Sequence, residues 1–262
     1  MGRPAVDPDA RRAALYAAVH RGTPGDVDFH RAQCAGAARV LELGCGYGRV
    51  ACALAEAGHA IVGVEIDPAM LGIARASAAS APAELRDRLT LREGDARALE
   101  LGALRFERVL LAHSTIYCFR SDDEVRAVLR GARAHLVPGG RLVIDAYAAD
   151  DFHAHLDPDA ADAWGEIARV EAAGRRWRVL ERSDWDRAAQ RVSAHYRHEP
   201  LGGGRAIETT IEHRYLLASQ LESLLRDEGF EVLRIDGDFE STPFHPEAEH
   251  LVVVAERSAT GS

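Results

Sequence analysis

The chain has 262 residues, enough to bury the core of one large domain or of a domain carrying a sizeable insertion. Its 41 acidic residues against 32 basic ones leave a net charge of −9, which disfavours a nucleic-acid backbone or an anionic membrane as the main partner, since both are repelled. No run of about 18 apolar residues exists and the first residues are polar, so the expectation is a cytoplasmic protein without a membrane span or signal sequence.

Residues 8–21 carry a helical apolar face of Leu15, Tyr16 and Val19 with Asp7 or Asp9 near the start, and Gly22-Thr23-Pro24-Gly25 ends it. A second short helix, about 26–36, leads to the stretch VLELGCGYGRVACALAEAG at 40–58. Val40–Leu43 suits a buried parallel strand, and an amphipathic helical pattern follows three closely spaced glycines, Gly44, Gly46 and Gly48. Glycine lets the backbone bend sharply and lie directly against a ligand, and the free N–H groups of the next helix favour an anionic group there. A turn without a ligand, a dinucleotide site and a phosphate loop are the alternatives. The spacing is G-x-G-x-G rather than G-x-G-x-x-G, and Arg49-Val50 stands where a phosphate loop needs Lys-Ser/Thr.

Glu42-Leu43-Gly44-Cys45-Gly46-Tyr47-Gly48 resembles the first motif of the class I S-adenosylmethionine-dependent methyltransferases. The resemblance implies S-adenosylmethionine as cofactor, with Glu42, Gly44, Cys45, Gly46 and Gly48 at its binding loop. It also implies a Rossmann-like α/β sheet of seven strands in the order 3-2-1-4-5-7-6. In such enzymes N-terminal helices close over the cofactor, and an aromatic near Tyr16 reaches the active site; packing alone is the other reading of Tyr16.

Ala60–Ile66 is a second buried strand ending in Glu65-Ile66-Asp67. Glu65 lies 17 residues beyond Gly48, where a carboxylate can accept from both ribose hydroxyls. The resemblance assigns Glu65 to that ribose and places Ile66 beside the cofactor, while Asp67 before Pro68 should cap the helix 68–79. Leu89–Leu91 is the third strand and runs into Gly94-Asp95-Ala96, which matches the family's adenine motif, so Asp95 and Ala96 are expected at that end of the cofactor.

Glu107–Ala112 forms the fourth strand and ends at His113-Ser114-Thr115-Ile116-Tyr117. Ligands of an open parallel sheet sit outside the strands' carboxyl ends, so these residues face cofactor and substrate. His113, with an ordinary pKa near neutrality, is a candidate general base or a wall beside the sulfonium, and Tyr117 a candidate to receive or position a proton. Ser121 should cap the helix 121–136, whose first turn holds Asp122, Asp123 and Glu124. Pro138-Gly139-Gly140 turns into a fifth strand, Arg141–Ala146.

From about 165 to 217 the helical period gives way to alternating segments at Arg175–Asp186, Gln190–His198 and Arg205–Leu216, joined by hairpin turns at 186–189 and 201–204. Period two puts Trp177, Val179 and Trp185 on one face and Arg176, Arg178 and Arg182 on the other. The expectation is an antiparallel insertion after the fifth strand, either a lid over the substrate or the interface of a homodimer, its Arg face open to an anionic substrate. A helix at 219–228 ended by Gly229, and strands Phe230–Asp238 and Glu249–Glu256, complete the sheet; the tail from Ser258 is expected to be disordered.

The domain expectation is a cap at 1–36, a cofactor-binding core at 37–150 and 217–257, and an inserted lid at 151–216. Cys34, Cys45, Cys52 and Cys118 show neither metal nor disulfide spacing, and the twelve histidines show no metal-binding helix pattern, so no metal is predicted. The functional expectation is methyl transfer to a small molecule, at an amine nitrogen before an oxygen, carbon or sulfur. An NAD-dependent oxidoreductase and a non-catalytic S-adenosylmethionine-binding module are the rivals of another class.

Overall fold

A computed structural model describes residues 7–156 and 163–258. Two helices, α1 (Pro8–Val19) and α2 (Asp26–Cys34), precede the strand β1 (Arg39–Leu43). Then α3 (Arg49–Glu56), β2 (Ala60–Glu65), α4 (Pro68–Ala79), α5 (Ala83–Arg88), β3 (Leu89–Glu93) and β4 (Phe106–Leu111) alternate through the first half. After α6 (Asp122–His135) come β5 (Leu136–Tyr147) and α7 (Asp150–His155). Four consecutive strands follow, β6 (Gly165–Ala172), β7 (Arg175–Asp186), β8 (Arg191–Pro200) and β9 (Ile207–Arg214), before α8 (Ala218–Asp227), β10 (Phe230–Asp236) and β11 (His250–Arg257).

The main sheet has seven strands ordered β3-β2-β1-β4-β5-β11-β10. β1 to β5 run parallel, and β11 is antiparallel to both β5 and β10. Counted within this sheet that is the expected 3-2-1-4-5-7-6. Alternate residues of the central strands enter different cores, as strand geometry requires. Leu41, Val109, Leu142 and Val253 pack with Val128, Leu129 and Leu225 of α6 and α8. Val40, Leu110, Val143 and Val252 pack on the opposite face with Phe29, Val50 and Leu54 of α2 and α3.

Caps set the helix starts. The Asp67 side chain accepts from the Ala69 N–H at 2.8 Å and Pro68 occupies the first turn of α4. Ser121 Oγ accepts from the Glu124 N–H at 3.2 Å while the Glu124 carboxylate accepts from the Arg120 N–H at 2.6 Å, bracketing the start of α6.

The second sheet is antiparallel, ordered β6-β7-β8-β9, and lies between β5 and α8 in the chain. It has one strand more than the alternation at 175–216 indicates. β6 was hidden because its register with β7 shifts between Glu166 and Ala168, so its apolar residues do not keep a clean period of two. β5 also begins earlier than Arg141, with Gly139 at φ +71° inside the strand. Leu15 of α1 is fully buried against Val170, Ala172, Trp177, Val179 and Tyr196 of the second sheet. The N-terminal helix and the insertion therefore share one core. Of the tail, Ser258 donates its N–H to Gly229 O at 3.1 Å, and the rest lies outside the described residues.

Candidate active site

A cavity of about 720 Å³ opens at the carboxyl ends of β1, β2, β3 and β4 and is closed from the other side by α1 and the second sheet. Its first wall is backbone and carboxylate. Gly44, Gly46 and Gly48 have φ of +70°, +54° and +84°, a region that L side chains enter only with strain. The Gly44 and Cys45 N–H groups both donate to Val64 O, at 2.8 and 3.1 Å, which ties the loop to β2. Gly44 is required twice over: a Cβ there would stand 2.5 Å from Thr115 Cγ2.

Glu65 bridges the two loops. Its Oε2 accepts from the Gly46 N–H at 2.8 Å and its Oε1 from the Asp67 N–H at 2.9 Å. Those bonds fix the carboxylate while leaving lone pairs for a ligand. Arg12 of α1 reaches down to Asp67 Oδ2 at 2.8 Å, so the N-terminal helix is fastened to the same edge. Glu42, at the end of β1, is 3 % exposed, and burial pushes its carboxyl up to about 8. Among the described residues its Oε2 meets no hydrogen-bond partner.

Asp95 lies at the far end of this wall and accepts from the Arg97 N–H at 2.9 Å and from Arg97 Nη2 at 2.7 Å; Arg97 Nη1 reaches Glu124 at 2.7 Å. The arginine holds the Asp95 carboxyl below the usual range. Ala96, Cys45 and the exposed Ile66 also line the cavity. Gly48 does not. It precedes α3 in left-handed backbone, and a Cβ would approach Ala74 Cβ at 3.0 Å, so its lack of a side chain serves the packing of α3 on α4 rather than a ligand.

His113 and Ser114 follow β4 in left-handed backbone, with φ of +53° and +62°. Two successive non-glycine residues in that region store strain that the surroundings must hold. Asp145 holds it: its Oδ2 accepts the His113 N–H at 2.9 Å and its backbone O the Ser114 N–H at 2.8 Å. Its Oδ1 is 2.7 Å from His30 Nε2. The result turns the half-buried His113 into the cavity, where burial lowers its pKa.

Tyr117, expected to handle a proton, is a correction. Its ring is fully buried, outside the cavity lining, and its hydroxyl donates to Tyr147 O at 3.0 Å and Leu216 O at 3.1 Å. A phenol whose single O–H is shared between two backbone carbonyls links β5 to the chain entering α8. Tyr16 does line the cavity, 4.3 Å ring to ring from His20, and burial pushes its phenol up to about 12.

The wall opposite the glycine loop comes from side chains that single-residue motifs did not reveal: His20, Tyr147, Glu181, Ser183, Tyr196 and His213. Burial lowers His20 and His213 to about 4, so both imidazoles are neutral near pH 7 and keep an acceptor nitrogen. Tyr147 lies 3.4 Å from His213 Nδ1 through its hydroxyl, and Tyr196 donates to the Glu181 carboxylate. Strand pairing aligns Glu181 with Tyr196, Ser183 with Ala194 and Ile211, and Trp185 with Val192 and His213. The inward face is the Trp177 face. The arginine face points away: Arg178 pairs with Glu166 at 2.7 Å, and Arg182 lies 5.3 Å over the Trp164 ring. The expectation of an anion held by that face is therefore overturned, since period two puts Glu181 inside whenever Arg182 is outside.

Known proteins give this geometry its context. A family model described as a methyltransferase domain matches residues 40–140. The cypemycin N-terminal methyltransferase of a Streptomyces species is 28% identical over 222 residues, covering 83% of this chain and 82% of that protein. A dTDP-3-amino-3,6-dideoxy-alpha-D-glucopyranose N,N-dimethyltransferase of Streptomyces fradiae is 29% identical over 201 residues, 74% of this chain and 72% of its own. The solved structure of the CcbJ methyltransferase from Streptomyces caelestis is 30% identical with a TM-score of 0.77, covering 91% of this chain and 98% of that one. With sheet order, loop motif and near full-length similarity in agreement, the chain belongs to the S-adenosylmethionine-dependent methyltransferases.

Proposed function

We propose that the enzyme methylates an amine nitrogen of a small molecule. The observation that carries this reading is the convergence of three imidazoles, His20, His113 and His213, with the phenols of Tyr16 and Tyr147 on the cavity wall facing the glycine loop. Neutral imidazoles and phenol oxygens accept N–H bonds, and so orient an amine with its lone pair free. Two of the three Streptomyces enzymes above are named for methylation at nitrogen, one as an amino-sugar N,N-dimethyltransferase and the other as an N-terminal methyltransferase.

The residues of the first wall fit the cofactor. Glu42 has a buried carboxyl oxygen without a partner, which suits the ammonium of the cofactor's amino-acid end. Gly44, Cys45 and Gly46 offer backbone without side-chain cover; Glu65 offers lone pairs for the ribose; Asp95, Ala96 and Ile66 edge the space for the adenine. S-adenosylmethionine supplies an electrophilic methyl on sulfur. The chain's own task is to hold an uncharged amine in line with it, about 3–3.5 Å from the carbon, and to exclude water. An ammonium must first lose its proton to solvent, since imidazoles lowered to about 4 are poor bases, and the neutral rings then accept the N–H bonds of the free amine. His113, fixed by Asp145, and Tyr16 are the groups we assign to that positioning.

In this reading residues 1–36 and 151–216 act together as the cover and the remainder to 257 as the cofactor-binding core. The shared core around Leu15 and Trp177 supports it. No described helix is long and apolar enough to cross a membrane, and the charge of −9 supports a cytoplasmic enzyme that works on small metabolites without a nucleic-acid partner. The test is turnover with isotopically labelled S-adenosylmethionine on paired amino, hydroxyl and thiol analogues, the methyl located by mass spectrometry. Methyl on nitrogen is expected; methyl on oxygen or sulfur alone would overturn the proposal.

A further inference from the structure

The charges around the cavity narrow the acceptor. Three arginines line it, and each is committed to a carboxylate of the cofactor half or of the N-terminal helices. Arg12 is bound to Asp67 at 2.8 Å, Arg49 to both oxygens of Asp26 at 2.8 and 2.6 Å, and Arg97 to Asp95 and Glu124 at 2.7 Å each. The chain contains no lysine. On the strands of the second sheet the arginines stand on the outward face, except Arg175 at the start of β7, which lies over the Trp177 ring and outside the cavity lining, and Arg120 beside β9 is paired with Glu212 at 2.6 Å. Among the described residues, the acceptor half of the cavity thus presents His20, His113 and His213 as its basic groups, with Glu181 as its carboxylate.

We infer that the acceptor is an amine bearing no phosphate or carboxylate, and that Glu181 selects it by binding the arriving ammonium, whose proton is lost to solvent before methyl transfer. This rests on the amine reading above and deepens it. An anion placed against β7 and β8 would meet the Glu181 carboxylate and no free guanidinium, and a desolvated anion without a counter-charge is strongly disfavoured. An ammonium in the same place meets a carboxylate already oriented by the Tyr196 hydroxyl, and a charge-assisted bond to an oriented partner loses little side-chain freedom. Glu181 and Tyr196 are register partners on neighbouring strands, so this pair is built into the sheet and not into a loop. The acidic surface adds the same preference at longer range. A nucleotide-linked amino sugar, whose diphosphate would need a cation here, is excluded as the acceptor.

The experiment titrates three probes into protein saturated with S-adenosylhomocysteine: methyl 3-amino-3-deoxyglucopyranoside, its N-acetyl derivative and its 6-phosphate. Calorimetry should show the free amine binding about tenfold or more tighter than either of the others, the size of one charge-assisted hydrogen bond. In Glu181→Gln that preference should shrink to about threefold or less with S-adenosylhomocysteine affinity and melting temperature unchanged, because the neutral amide keeps an acceptor but loses the charge. Equal or tighter binding of the phosphate, equal binding of the N-acetyl form, absence of binding by all three, or an unaltered preference in Glu181→Gln overturns the inference. Methyl transfer measured on the same probes separates the two levels: nitrogen methylation of the phosphate in preference to the free amine overturns the selection by Glu181 alone. Oxygen methylation overturns the amine reading itself.

Discussion

The two walls of the cavity are built in different ways. The wall assigned to the cofactor uses short contiguous stretches, 42–47, 65–67 and 94–96, in which backbone conformation and the carboxylates of Glu42, Glu65, Asp67 and Asp95 set the geometry. The wall assigned to the acceptor uses isolated side chains from α1, the turn after it, the turn after β4, and β5, β7, β8 and β9, brought together across the second sheet and its contact with α1. A backbone site needs glycine and fixed spacing, whereas a side-chain site can be re-specified by single substitutions on a preserved frame. This is how one sheet can serve many acceptors with one methyl donor.

The sharpest way to break the comparison is to loosen one wall while leaving the other alone. Trp177 is 1 % exposed in the core shared by α1 and the second sheet. Trp177→Ala should cost about 3–5 kcal/mol of stability, read by denaturant unfolding. In variant protein kept folded at low temperature, turnover should fall much further than affinity for S-adenosylhomocysteine. Equal losses of both would mean that the walls are not separable. The opposite cut is Glu65→Ala, which removes two backbone contacts along with whatever the carboxylate gives the cofactor. About 1.5–3 kcal/mol for each charge-assisted bond sets the upper range, with non-additivity reducing the sum, and calorimetry with S-adenosylhomocysteine reads it. Unchanged affinity would remove Glu65 from the binding set.

The same contrast explains what the sequence made legible. Gly44, Gly46, Glu65 and Asp95 could be placed on the cavity wall from the sequence because the role proposed for them depends on local spacing. Tyr117 misled because it follows a strand end as a catalytic residue would, yet its ring points into the core, and sequence position alone does not tell the two sides of a turn apart. His20, Glu181, Tyr196 and His213 were invisible as a group, since their meeting depends on the register of β7, β8 and β9 and on which face of that sheet packs against α1. The period-two pattern at Trp177 and Val179 did hold the clue: continuing it two and four residues further reaches Glu181 and Ser183.

The finest distinction between the walls is their opposite response to pH. His20 and His213 on the acceptor wall are lowered from 6.5 to about 4, so between those values the unfolded chain binds more protons than the folded one. Stability from these groups is complete above about pH 6.5 and is lost as pH falls toward 4. Glu42 on the cofactor wall is raised from 4.5 to about 8, so over that window the folded chain binds the extra proton and stability is lost as pH rises. The two effects oppose each other up to about 6.5, and above it the Glu42 contribution continues while the histidine one has ended. The ligand-free melting temperature should therefore decline between pH 6.5 and 8. An ammonium beside Glu42 favours its ionised form, so affinity for S-adenosylhomocysteine should rise with pH through the same interval, and a saturating concentration should flatten the decline. Glu42→Gln, which cannot titrate, should flatten it without ligand, while His213→Asn should act on the acid limb only. Melting curves from pH 4.5 to 8.5 read all four cases, and a decline above pH 6.5 that persists in Glu42→Gln would show that the buried carboxyl is not its source.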